Sequence, residues 1–247
     1  MRRHLSFRSG NPALTANTFK NTSSNTLDRM TLEGTINKTA LGLFILFIAA
    51  YYTFINQITG LIFIGFIGGF IVALITIFKK HLSPYTVPIY AFLEGLALGG
   101  ISSIYNTLYG GIVQQAVFIT IGILCALLFA YKTKIIQPTE NFKLGVFAAT
   151  GGIGIVYLLN FIMSFWGSGL SIMNINNASL FGIGFSIFVV IIASLNLVLD
   201  FDFIEQGAEI GAPKYMEWYG AFGLMVTLIW LYIAILRLLA QLQSRRN

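Results

Sequence analysis

A chain of 247 residues that is 56% apolar and only 10% charged is not an ordinary soluble domain, because soluble chains carry roughly 25% charged residues. Its mean hydropathy of +0.79 suits lipid. The formal net charge of +6 does not point to nucleic acid, since the basic residues occupy gaps between apolar runs instead of clustering with aromatics.

Residues 1–35 are rich in Asn, Thr and Ser and lack apolar periodicity, so they read as a polar cytoplasmic tail. They contain no apolar core of the length a cleavable signal peptide needs. Residues 36–247 then carry seven apolar stretches, at about 38–56, 59–78, 86–107, 112–131, 144–166, 179–201 and 217–240. Each is close to the roughly 20 residues that cross a hydrocarbon core. Without water the backbone must satisfy its own hydrogen bonds, so each run is predicted to be a helix. The fold class that follows is an all-α integral membrane protein, with the lipid bilayer as its first partner.

Lys and Arg set the orientation. Arg2, Arg3, Arg8, Lys20, Arg29 and Lys38 precede or open the first span, Lys79 and Lys80 lie between spans two and three, and Lys132, Lys134 and Lys143 between four and five. Lys214 lies between six and seven, and the remaining connections carry none. This alternation predicts a cytoplasmic N-terminus. Arg245 and Arg246 then fall on the wrong side of a seventh crossing. Span seven therefore either crosses against the rule or is a re-entrant segment buried in protein. Gly65 and Gly69, Gly95 and Gly99, and Gly220, Gly223 and Thr227 form small-residue faces that allow close helix contact.

A single cysteine, Cys125, lies inside an apolar run, and His4 and His81 lie outside the runs. A disulfide framework and a histidine centre in the membrane are thereby excluded, and no cofactor or confident metal site is expected. Glu94 is the ionisable residue well inside spans one to five. Such a group faces a wet cavity, pairs, or stays protonated. It reads either as a neutral acid bonded to a neighbouring helix or as part of an ion or proton path. In span six, Asp200 and Asp202 point about 200° apart on a regular helix. Asn196 and Ala193 lie above Asp200, whereas Val198 and Leu195 lie above Asp202. Asp200 is thus expected to face the interior. Asp202, Glu205 and Glu209 share a face that reads as a solvated acidic rim, and with Glu217 they form a possible acidic mouth.

Several segments together resemble the Bax inhibitor-1 (transmembrane Bax inhibitor motif) family. Pro88-Ile89-Tyr90-Ala91-Phe92-Leu93-Glu94-Gly95-Leu96-Ala97-Leu98-Gly99 is similar to its helix 3 signature. Asn196 to Gly207, centred on Leu199-Asp200, resembles the helix that carries its characteristic aspartate. Arg8-Ser9-Gly10-Asn11-Pro12-Ala13-Leu14, Met30 to Thr39 and Ala212 to Gly223 resemble a bacterial branch, so the likeness covers essentially the whole chain. The resemblance implies a seven-helix bundle with the C-terminal helix central. It also implies a pH-sensitive calcium or cation leak, and, in eukaryotic relatives, control of cell death. In well-studied members of that family a helix 6 aspartate shares a proton or hydrogen bond with a helix 7 aspartate and closes the pore. Asp200 matches the first, but the second position aligns with Thr227, which cannot ionise. Asp200 is then expected to bond to Thr227, or to find an acidic partner in Glu94 or Glu217.

Two functions from different classes follow. One is an ion-conducting membrane protein with Asp200, Glu94, Thr227 and Asn196 on the ion path or gate, and calcium as a possible transported ion. The other is a regulatory interaction protein that binds a membrane protease or another membrane partner, as some bacterial relatives do. An enzyme is not expected, because no nucleophile–base pair, metal cluster or i, i+4 acid pair lies inside a span.

Overall fold

The computed structural model describes residues 29–167, 169–170 and 179–246. Most of the polar tail and much of the fifth-to-sixth connection lie outside the described residues. The described chain is helical: α1 (Leu32–Ile55), α2 (Leu61–Phe78), α3 (Ser83–Leu108), α4 (Ile112–Lys132), α5 (Glu140–Ser164), α6 (Leu180–Glu209) and α7 (Met216–Arg246). A short 3-10 turn, Lys80–Leu82, leads into α3. Among the described residues, seven helices are long and apolar enough to cross a membrane.

Three of the helix starts have a clear local cause. Thr31 caps α1, its side chain accepting a hydrogen bond from the Gly34 amide at 3.0 Å, with Glu33 in the first turn. Thr139 caps α5 in the same way through the Phe142 amide at 3.3 Å. This start brings Lys143, placed by the sequence in a connection, into the first turn of α5, where it is buried. Pro84 stands in the first turn of α3, where its missing N–H is not needed. Pro88 follows in the second turn without ending the helix.

The first helix begins at Leu32, four residues before the tail boundary read from composition. Residues 29–31 are also part of the fold. Met30 is 2% exposed, its amide donates to the Ala212 carbonyl at 2.6 Å, and Arg29 forms an isolated antiparallel bridge with Pro213. Gly211, at φ +65°, makes the turn before that bridge. The left-handed region favours glycine there.

The chain divides into two compact units. One comprises residues 29–108 and Asp200–Val226, and so holds α1, α2, α3, the end of α6 and the start of α7. Its helices pack through glycine. A methyl on Gly65 of α2 would strike the Leu93 carbonyl oxygen and the Ala97 amide nitrogen of α3. Methyls on Gly95 and Gly99 of α3 would strike the Leu46 and Ala50 carbonyl oxygens of α1. The small-residue pairs seen in the sequence are therefore the surfaces on which α1, α2 and α3 meet. Tyr90 and Phe222 pack edge to face at 4.9 Å.

The other unit comprises Tyr109–Leu199 and residues 227–246, with α4, α5, most of α6 and the end of α7. Its core joins Ile153 of α5, Val189 and Ile192 of α6 and Ala234 of α7. In contrast to the first unit, Gly122, Gly145, Gly151, Gly152 and Gly154 face open space.

Burial separates the helices. About three fifths of the central windows of α3 and α7 are buried (61% each), and 56% for α6, against 11–17% for α1, α2, α4 and α5. The latter four present large apolar side chains outward, such as Phe44, Phe66, Phe118 and Phe161, as lipid contact requires. α7 is one unbroken helix of 31 residues. At 1.5 Å per residue it extends about 46 Å, and by length and composition it is one of the candidate membrane spans.

Candidate functional site

The structure buries Asp200 completely on α6. Asn196, one turn earlier, is 1% exposed. Its Nδ2 donates to Thr150 Oγ1 of α5 and to the Ile192 carbonyl, each at 2.8 Å. Those two bonds fix the amide, and among the described residues no donor reaches Oδ1. A buried amide oxygen held in one orientation without a partner is an acceptor waiting for a donor, a water or a cation.

Leu197, Val198 and Leu199 are each 0% exposed and Phe201 only 8%. Over this stretch α6 is covered on every side. Asp202 differs from Asp200 because it lies nearer the helix end. It is half-buried and accepts from Gln206 Nε2 at 2.6 Å. Glu205 is half-buried and Glu209, the last residue of α6, is exposed.

Glu94 is half-buried on α3. Its carboxyl lies against the backbone of Gly69 on α2, where a methyl would come 2.6 Å from Oε1. Thr227 is 2% exposed on α7. Among the described residues no group of three or more His, Cys, Asp or Glu side chains is arranged to hold a metal.

Glu217 is not an open mouth acid. It stands in the first turn of α7 with a side chain 0% exposed. Oε2 accepts from Lys38 Nζ at 2.5 Å, and Oε1 from Lys214 Nζ, the Thr31 amide and Thr31 Oγ1, each at 2.9 Å. The carboxylate is committed to α1 and Lys214. The physical reason is that a buried carboxylate needs charge-assisted partners; sequence position alone cannot distinguish this from a solvated acid.

Sequence reasoning passed over a second polar group. Arg237 and Gln241 stand one turn apart on α7, 9% and 0% exposed. Ser186 Oγ of α6 donates to Gln241 Oε1 at 2.6 Å. The available signal was the i, i+4 spacing of two polar residues inside the last apolar run.

A family model described as Bax inhibitor 1 like matches residues 11–244. The chain belongs to this Bax inhibitor 1-like family. Comparison with curated proteins gives no match. The family match spans both compact units and every helix described above, and so includes Glu94, Asn196, Asp200, Glu217 and Thr227.

Proposed function

We propose that this Bax inhibitor 1-like protein leaks cations, calcium among them, across the cell inner membrane, with Asp200 as the acid on the ion path. The observation that carries the reading is a carboxylate and an amide oxygen buried one turn apart on α6. Asp200 is 0% exposed, and Asn196 Oδ1 is oriented by the Thr150 and Ile192 bonds. Hard cations take oxygen ligands of these two kinds, and acids within membrane segments mark ion or proton paths.

The end of α6 supports the same reading. Asp202, Glu205 and Glu209 occupy its final turns with no basic residue in the last turn. Carboxylates there oppose the helix dipole. They weaken the helix end, but they concentrate cations beside it. The alternation of Lys and Arg along the connections supports a cytoplasmic N-terminus.

The test is calcium flux in proteoliposomes. Asp200→Asn is expected to change the flux and its dependence on pH. Flux equal to wild type from about pH 6 to 8, a range in which coupled carboxylates can titrate, would sink the assignment.

A further inference from the structure

Glu217 is the buried acid that the ion path leaves unused, and its surroundings say what it does. Four donors converge on one carboxylate: the Thr31 amide, Thr31 Oγ1, Lys38 and Lys214. Thr31 and Lys38 belong to the start of α1, whereas Lys214 and Glu217 belong to the start of α7. Thr31 Oγ1 also accepts the Gly34 amide, so the same residue caps α1 and grips Glu217. α1 presents bare backbone to the carboxyl, because a methyl on Gly34 would overlap Oε1, Oε2 and Cδ. Next to this contact, Met30 pairs with Ala212, Arg29 with Pro213, and Lys38 stands 6.0 Å above the Trp218 ring. Ser83 Oγ, at the start of α3, donates to the Tyr215 carbonyl at 2.8 Å.

We infer that Glu217, Thr31 and Lys38 form a latch that locks the first turn of α1 to the first turn of α7, so that a displacement of the chain at Arg29–Thr31 is felt at α7. Three features make it a latch and not an ordinary surface pair. The carboxylate is fully buried, so a donor lost from its sheltered side, such as Lys38 on Oε2, is not replaced by water. Two of its four donors come from the cap residue Thr31, which holds them in place only while α1 keeps its first turn. The joined segments are 186 positions apart at Thr31 and Glu217, so only the fold connects them.

The experiment is amide hydrogen exchange, read by mass spectrometry on the full-length protein in lipid nanodiscs. Glu217→Gln is expected to raise exchange by about tenfold in both 30–37 and 214–222. Thr31→Val, which keeps the backbone donor and removes the hydroxyl, is expected to raise exchange in 214–222 by a smaller factor of about three. Each variant must act on the partner helix as well as its own. Faster exchange confined to the helix that carries the substitution, with the other at the wild-type rate, would overturn the latch. If Glu217→Gln fails to fold, Thr31→Val alone still decides, because its effect is read on the distant α7.

Discussion

The carboxyl of Glu94 on α3 rests against the bare backbone of Gly69 on α2. A methyl built on Gly69 would lie 2.6 Å from Oε1, 3.1 Å from Cδ and 3.3 Å from Cγ of Glu94. Gly69 therefore does two things at once: it lets α2 approach α3, and it leaves room for an acid between them. The obstacle to Gly69→Ala is a movable side chain end and not backbone. Gly69→Ala and Glu94→Ala should be strongly non-additive, with an interaction of about 1–2 kcal/mol by double-mutant cycle. Glu94→Ala should rescue much of the loss in thermal unfolding midpoint caused by Gly69→Ala. Simple additivity would show that the carboxyl and Gly69 are not in contact.

Gly65 gives a different outcome on the same helix. Its neighbours are the Leu93 carbonyl and the Ala97 amide, which cannot move without moving α3. Gly65→Ala should cost about 1–3 kcal/mol, the usual range for overpacking, and no change at Glu94 should restore it. Gly152 on α5 faces open space. There an alanine should be neutral or stabilising by up to about 1 kcal/mol, since glycine is the poorer helix former. Unfolding midpoints of the two variants in one detergent make the comparison. Similar losses at both sites would contradict the packing described for α2 and α3.

These glycines show which parts of the fold the sequence made legible. Helix existence followed from lipid, which demands a run of about 20 apolar residues for each crossing. The Gly65/Gly69 and Gly95/Gly99 faces followed from spacing, because residues four apart lie on one side of a helix. Glu217 escaped for an equally physical reason. Its main partner, Lys38, lies 179 positions away, and no periodicity reports a contact at that separation. The start of α1 escaped because Thr31 and Glu33, a cap and a first-turn acid, sit at the edge of a polar segment that hides them. At Asp200 the buried acid was legible but its setting was not. Helical phase separates an inner from an outer face only where one face meets lipid, and α6 is covered all round from Leu197 to Phe201.

Asn196 provides a prediction that distinguishes orientation from mere burial. Thr150→Val removes the acceptor for Asn196 Nδ2 while keeping the shape of the side chain. The lost hydrogen bond should cost about 1 kcal/mol. The amide, no longer fixed from α5, is also free to turn. On the ion-path reading, calcium flux in proteoliposomes should change for Thr150→Val although residue 150 carries no charge. A stability loss of that size with wild-type flux would confine Asn196 to a structural role.

The two lysines on Glu217 should differ in value because they differ in exposure. The Lys38 side chain is 23% exposed and that of Lys214 is 50% exposed, whereas Glu217 is 0% exposed. Lys214 faces enough water to be screened, so Lys214→Met should cost less than about 1 kcal/mol. Lys38→Met leaves a buried carboxylate short of its more sheltered partner, and should cost about 2–4 kcal/mol. That is below the full penalty for an uncompensated charge, since Lys214 and Thr31 remain. The cost lies in the stranded acid and not in the lost attraction, so neutralising the acid as well should recover stability. The double variant Lys38→Met, Glu217→Gln should therefore unfold at a higher temperature than Lys38→Met alone. A double variant less stable than Lys38→Met would mean that Glu217 is stabilised mainly by partners other than Lys38, and would reverse the order of importance given to these contacts.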